Sequence, residues 1–286
     1  MKLPPFVLGH NALIGVDHAD RASAGVKQGL STGDRELLDA AAEAGVRAIL
    51  LDNHPVALEA ARYVADRHPA LRVIPMVPYA QAVVDEASSG GMTGVARQIV
   101  VSGMRSGGAL LRAAADIASG RFTEAGAHVA VAHYLAGFPD RRPAVCFLHN
   151  AVTDLMLGWN NREGLAAFAS ACRSVDVTPG FVTLNPGRLG ELAEIVGDGA
   201  WFMCAVNSRG IQMSPSREQA EQALQDPRFR VMAMSVLGGG LLDPAVEIRR
   251  AYEFPAVRSM VIGTSNQAHL REALELARAA EAEKVR

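Results

Sequence analysis

Eight apolar runs of strand length constrain this chain more than any other feature. They fall near residues 5–16, 46–51, 71–77, 144–149, 179–184, 200–206, 229–236 and 258–262. Most are apolar throughout, as in "AVCFL" and "WFMCAV". A half-exposed strand would alternate polar and apolar residues. A continuous run fits a parallel strand covered on both faces. Helical sequence separates the runs. "STGDRELLDAAAEAG" opens on Ser31 or Thr32 as an N-cap and closes on Gly45. "PVALEAARYVADRH" begins with Pro55, which suits a first helical position. "NREGLAAFASACRS", "GRLGELAEIVG", "SREQAEQALQD" and "NQAHLREALELARAAEAEK" complete the series.

Eight strand–helix units in 286 residues are the count of an α/β (β/α)8 TIM barrel. A doubly wound sheet would carry a G-x-G-x-x-G fingerprint after its first strand, and none is present. The expectation is one barrel domain over residues 1–286. About 65 residues separate the third strand from the fourth. We read 84–140 as an insertion of two helices within the barrel, the second near 123–137. It serves either as a lid or as extra packing against the wall.

Composition narrows the function. The formal net charge is -2, which lacks the basic excess of a nucleic-acid binder. No apolar run reaches the ~18 residues of a membrane span. The N-terminus "MKLPPFVLGH" has no signal-peptide pattern. Cys146, Cys172 and Cys204 are odd in number and widely spaced, so they read as reduced, buried thiols. A cytoplasmic protein acting on a small molecule is expected, with a homo-oligomer allowed for. Only three of the 28 basic residues are lysines, namely Lys2, Lys27 and Lys284. Schiff-base chemistry needs a lysine in the site, so that class is disfavoured.

In a barrel the chemistry gathers where strands end at their C-terminal side. Those ends are unusually polar here. The first region gives His10, Asn11, Asp17 and His18, and the second gives Asp52, Asn53 and His54. Tyr79 follows the third strand, and His149 with Asn150 follows the fourth. Asn185 follows the fifth, and Asn207, Ser208 and Arg209 follow the sixth. The other histidines, His68, His128, His133 and His269, fall on helices or their ends and read as surface or packing residues. The last two strands end in "LGGG", with Gly238, Gly239 and Gly240, and in "GTSN", with Gly263, Thr264, Ser265 and Asn266. Barrels often hold phosphate at those two loops, on backbone N–H groups and a helix N-terminus.

The chain resembles the aldo-keto reductase superfamily. "FLHN" is similar to its fourth strand, "LNPGRLGEL" to its fifth, "MSVLGGGLLDP" to its seventh, and "VIGTSNQAHLREAL" to its eighth strand and cofactor-phosphate helix. "VLGHNALIG" and "ILLDNHPVA" resemble its opening and its aspartate motif. The resemblance implies a barrel, an NADP cofactor, and catalytic roles for Asp52 and His149. It also places the family's tyrosine at Ala57 and its lysine near Pro78, and both are replaced. Loss of a positioned proton donor commonly costs ~10²–10⁴ in rate.

Three enzyme readings follow. The leading one is acid–base chemistry of lyase, isomerase or cyclase type on a small anionic or carbonyl-containing substrate. In it His149 is the principal acid or base, Asp52 orients it, and His54 is a second proton carrier. The asparagines, with His10, Asp17, His18 and Arg209, bind substrate. The alternative is an NAD(P)H-dependent reductase with Tyr79 standing in for the tyrosine. Metal-assisted chemistry through His10 or His18, His54, His149 and Asp52 ranks third, because no strong ligand spacing is present. No metal is assigned.

Overall fold

The computed structural model describes residues 2–15, 27–78, 124–140 and 142–285. The strands are β1 (Phe6–Gly9), β2 (Ala48–Asp52), β3 (Arg72–Val77), β4 (Val145–Leu148), β5 (Thr178–Val182), β6 (Trp201–Ala205), β7 (Val231–Met234) and β8 (Val257–Gly263). They pair in sequence order, all parallel, and β8 returns to β1 to close a barrel. The helices are α1 (Asn11–Ile14), α2 (Thr32–Glu43), α3 (Pro55–Arg67), α4 (Glu124–Ala136), α5 (Asn150–Gly158), α6 (Arg162–Ser174), α7 (Leu189–Val196), α8 (Arg217–Leu224), α9 (Pro244–Glu253) and α10 (Gln267–Val285). This is the (β/α)8 barrel that the alternation predicts.

Side-chain parity divides the core into two layers. Val7, Ala48, Leu50, Ile74, Met76, Val145, Phe147, Val182, Met203 and Met232 fill the barrel interior. Their strand neighbours, such as Leu8, Ile49, Leu51, Cys146, Leu148, Phe181 and Cys204, pack outward on the helices. Successive strand residues point to opposite faces, and both faces are covered, so the runs are apolar throughout. Serine and aspartate set the start of α2. The Asp34 N–H donates to Ser31 Oγ at 3.2 Å, and the Ser31 N–H donates to Asp34 Oδ2 at 3.0 Å. This reciprocal capping box is the signal that the sequence carries.

Three helices go beyond the sequence reading. Helix α5 is capped by His149, which lies outside the usual cap set of Ser, Thr, Asp and Asn. Helix α9 starts on Asp243–Pro244, a proper cap followed by proline, and α1 is a single turn. Within the expected insertion, α4 packs on α6, and Ser170 Oγ donates to Glu124 Oε1 at 2.7 Å. The remainder of that insertion, including any lid, lies outside the described residues. No helix among the described residues is long and apolar enough to cross a membrane.

One interior contact is tight enough to test. Phe147 pairs with Gly180 across β4 and β5, and its ring lies against the glycine. A Cβ on Gly180 would sit 2.5 Å from Phe147 Cδ1. Phe147 is fully buried, so the ring has nowhere to move. Gly180→Ala is expected to cost about 1–3 kcal/mol by overpacking. Thermal unfolding would show this as a Tm lowered by several degrees.

Candidate active site

The polar residues after β1, β2 and β4 gather at one end of the barrel. Asp52 ends β2 and continues the inward parity of Ala48 and Leu50. His149 follows β4 and continues the inward parity of Val145 and Phe147. Asp52 pairs with Met76, and Met76 with Phe147, so only β3 stands between the two strands. The His149 N–H donates to the Val77 carbonyl at 2.8 Å, which extends the ladder past the strand end.

Asp52 is 3% exposed, and a bare carboxylate there would be costly. It has two partners. His10, 4% exposed, donates from Nε2 to Asp52 Oδ2 at 3.1 Å. The His54 N–H donates to Asp52 Oδ1 at 3.0 Å. Burial pushes the Asp52 pKa up, but the hydrogen bond from His10, the His10 charge and the His54 contacts outweigh it. The net shift is downward, so Asp52 stays ionised.

His54 and His149 share a second device. Each N-caps the helix it precedes through Nδ1. The Val56 N–H donates to His54 Nδ1 at 3.2 Å, and the Ala151 N–H donates to His149 Nδ1 at 3.1 Å. An accepting Nδ1 carries no proton, so each neutral ring keeps its proton on Nε2. The helix N-terminus also disfavours an added positive charge. Burial lowers the His54 pKa; the nearby Asp52 opposes the shift and His10 reinforces it. Burial takes His149 down to about 4, with the same two opposing contributions. At neutral pH both rings are N–H donors.

The other sequence candidates divide. Asn11, Asn53, Asn150 and Asn185 are half-buried at this rim. Asn185 Oδ1 is buried with no hydrogen-bond partner among the described residues. Asn207 is fully buried and turned to the backbone. Its Nδ2 donates to the Ile211 and Ser235 carbonyls, and its Oδ1 accepts from the Ile211 N–H. That use holds the β6 and β7 loops together and leaves its amide no further donor for a ligand. Arg209 is exposed. Asp17, His18 and Tyr79 lie outside the described residues. No three His, Cys, Asp or Glu side chains among the described residues are arranged to hold a metal ion.

The two glycine-bearing loops are built as turns. The Gly238 N–H donates to the Ser235 carbonyl, and the Gly240 N–H to that of Leu237. Gly238 has φ +55°, and a Cβ there would sit 3.0 Å from Leu242 Cδ1. Its glycine therefore serves packing. Gly263 pairs with Gly9 in the barrel wall. Thr264 Oγ1 accepts from the Asn266 N–H, and Asn266 Oδ1 caps α10 by accepting from Ala268 and His269. Ser265 is exposed beside them. None of these bonds uses the N–H of Gly239, Ser265 or Gln267. Those donors, the N-terminus of α10 and the orphaned Asn185 oxygen fit a phosphate-bearing dinucleotide with an amide head.

Two supporting carboxylates escape sequence reading. Asp154 on α5 accepts the Thr183 hydroxyl at 2.5 Å and the Leu184 N–H at 2.9 Å, fixing the β5 end that carries Asn185. Burial raises its pKa despite those bonds. Glu247 on α9 is 4% exposed and accepts the Ser208 N–H at 2.9 Å. Both lie on helices that the sequence pattern does not announce.

The cap makes the fold sensitive to pH. His149 is neutral when folded, with a pKa of about 4, against an ordinary value of 6.5. The unfolded chain binds the proton first, so the associated stability is whole above 6.5 and lost as pH falls towards about 4. His149→Asn keeps a capping oxygen and removes this titration. Its Tm is expected to fall less than that of the parent across that window, as thermal unfolding at stepped pH would read.

No family model and no curated protein matches the sequence. Solved structures do. The protein PA4992 of Pseudomonas aeruginosa, described as an aldo-keto reductase, superposes with TM-score 0.63 at 14% identity. The match covers 98% of this chain and 91% of that one. The aldo-keto reductase AKR11C1 of Bacillus halodurans, in its holo form, gives 0.60 at 11% identity over 98% and 90%. Gox0644, in an apo form, gives 0.53 at 13% identity over 98% and 89%. With eight parallel strands closed in sequence order, this chain has the fold of the aldo-keto reductases.

Proposed function

We propose that this protein is an NAD(P)H-dependent oxidoreductase that interconverts a small carbonyl compound and its alcohol. The observation that carries the reading is His149, held at the inner rim as a neutral Nε2–H donor near a buried, ionised Asp52. A nicotinamide, when bound, supplies or accepts the hydride. The chain's own residues do the rest. His149 donates from Nε2 to the carbonyl oxygen and stabilises the charge that develops there. Asp52 fixes the His10 ring and the backbone of His54. Asn185 Oδ1 would accept from the amide head of the ligand, and the Gly239, Ser265 and Gln267 N–H groups would hold its phosphates.

The same tautomer counts against the acid–base lyase or isomerase reading. A ring whose Nδ1 accepts from a helix and whose Nε2 is protonated has no lone pair to take a proton. It would have to give up its cap first. The reductase reading must still supply a proton to the alcohol. Ala57 is fully buried on α3 and Pro78 closes β3, so neither position offers one. Tyr79 is the sequence candidate for that donor, with rim water as the alternative.

Calorimetric titration with NADH and NADPH tests the cofactor, and loss of reduced-nicotinamide absorbance with a panel of aldehydes and keto acids tests the reaction. His149→Ala is expected to lower kcat by about 10²–10³, the effect of removing one such donor, with cofactor affinity unchanged. Tyr79→Phe separates a phenol donor from water. Absence of nicotinamide binding at millimolar concentration would sink the reading.

A further inference from the structure

We propose that Asp154 is a positioning residue of this site: from α5 it grips Thr183 and Leu184, sets Asn185 in place at the rim, and so favours a ligand with an amide head. The inference deepens the oxidoreductase reading and rests on it for what Asn185 binds.

Past Val182 the chain leaves β5, and each backbone N–H must find another acceptor or stay unpaired. The Thr183 N–H still reaches the neighbouring strand, donating to the Met203 carbonyl at 2.9 Å. The next two depend on side chains. The Leu184 N–H donates to Asp154 Oδ2 at 2.9 Å, and the Asn185 N–H donates to Thr183 Oγ1 at 3.0 Å. The Thr183 hydroxyl itself donates to Asp154 Oδ1 at 2.5 Å. A hydroxyl has one proton and two lone pairs. With its proton given to the carboxylate, Thr183 Oγ1 is turned to accept from Asn185. Asp154 therefore acts on Asn185 through one intervening hydroxyl. Thr183 is 1% exposed, which keeps solvent from taking over either bond.

The carboxylate is itself held. Its neighbour Thr153 is fully buried, and its N–H and hydroxyl donate to the His149 and Leu148 carbonyls at 3.0 and 3.3 Å. His149 caps the same helix through Nδ1. Helix α5 is thus fastened to the end of β4 and grips the end of β5. The two rim residues of the proposed site are placed by one rigid element and not by two independent loops. On its other side, the Asn185 carbonyl accepts the Arg188 N–H at 3.0 Å, closing the turn Pro186–Arg188. The backbone of Asn185 is therefore fixed from both directions, while its Oδ1 is buried with no partner among the described residues. A preorganised acceptor of this kind favours a ligand that brings a donor to it, such as a carboxamide N–H.

The test is calorimetric titration of wild type, Asp154→Ala, Thr183→Val and Thr183→Ser with NADH, NADPH and the matching ADP-ribose, which lacks the amide head. Alanine is a good helix former, so Asp154→Ala leaves α5 intact. In Asp154→Ala and Thr183→Val, the dinucleotide that wild type binds is expected to lose about tenfold in affinity, the worth of one hydrogen bond, with ADP-ribose binding unchanged. Thr183→Ser keeps the hydroxyl and is expected to restore the wild-type affinity. A merely structural role would weaken both ligands alike or neither, and either result overturns the inference. If Asp154→Ala does not fold, the two Thr183 variants decide. A wild type that binds no dinucleotide sinks the oxidoreductase reading instead, and the placement of Asn185 is then read on the protein alone by amide hydrogen exchange. Faster exchange at Asn185 in either disabling variant, with Val182 unchanged, upholds the placement. Unaltered exchange at Asn185 overturns it.

Discussion

The closing pair of strands, β1 against β8, is the constraint on which everything else in this molecule rests. Phe6, Val7, Leu8 and Gly9 pair with Met260, Val261, Ile262 and Gly263 in unbroken register. The approach is closest at the top, where a Cβ on Gly9 would sit 3.1 Å from the Gly263 backbone nitrogen. Glycine permits this contact because it brings no side chain to it. The segment before β1 is anchored in the same seam. Tyr252 donates its hydroxyl to the Pro5 carbonyl, and Ser259 to that of Pro4. Closure leaves no sheet edge and forces eight strand ends onto one rim. Residues more than a hundred positions apart in sequence then share one mouth.

That rim solves an electrostatic problem with backbone as well as side chains. Placing an ionised carboxylate at 3% exposure requires partners for its lone pairs. One comes from a side chain, His10, and one from the backbone of His54. The next layer is made of helix N-termini. Two histidines take the capping role usually held by serine, threonine or aspartate, and in doing so fix their own tautomers. A cap of this kind gives up some helix stability for a defined N–H direction. On the proposed reading, stability and chemistry meet in the same two rings, and both depend on their staying neutral.

Ala57 and Pro78, two positions at which the sequence departs from the pattern it resembles, are each absorbed locally. Ala57 is the third residue of α3 and is buried among Val56, Ala60 and Ala61, where a small side chain lets the helix lie close to the wall. Pro78 lies just past the last ladder residue of β3, a position that asks for no N–H donor from it. Neither change disturbs a strand. The overall likeness to aldo-keto reductase structures is one of fold, at 11–14% identity.

Much of this was legible in the chain itself. Continuous apolar runs determined eight doubly covered strands, and Ser31, Pro55 and Ser216 marked where helices begin, because those signals are local and depend on period and cap chemistry alone. The polar strand ends also named Asp52, His54 and His149 before any geometry was known. Helices α5 and α9 were missed because their starts, His149 and Asp243, lie next to residues that read as loop. Only the tertiary structure decided what each rim residue is for. It set Asn207 to bracing two loops, gave Gly238 to packing, paired His10 with Asp52 across 42 residues of sequence, and placed the proton of His149 on Nε2. A side chain's protonation and tautomer follow from which atoms stand within about 3 Å of it, and no spacing along the sequence contains that distance.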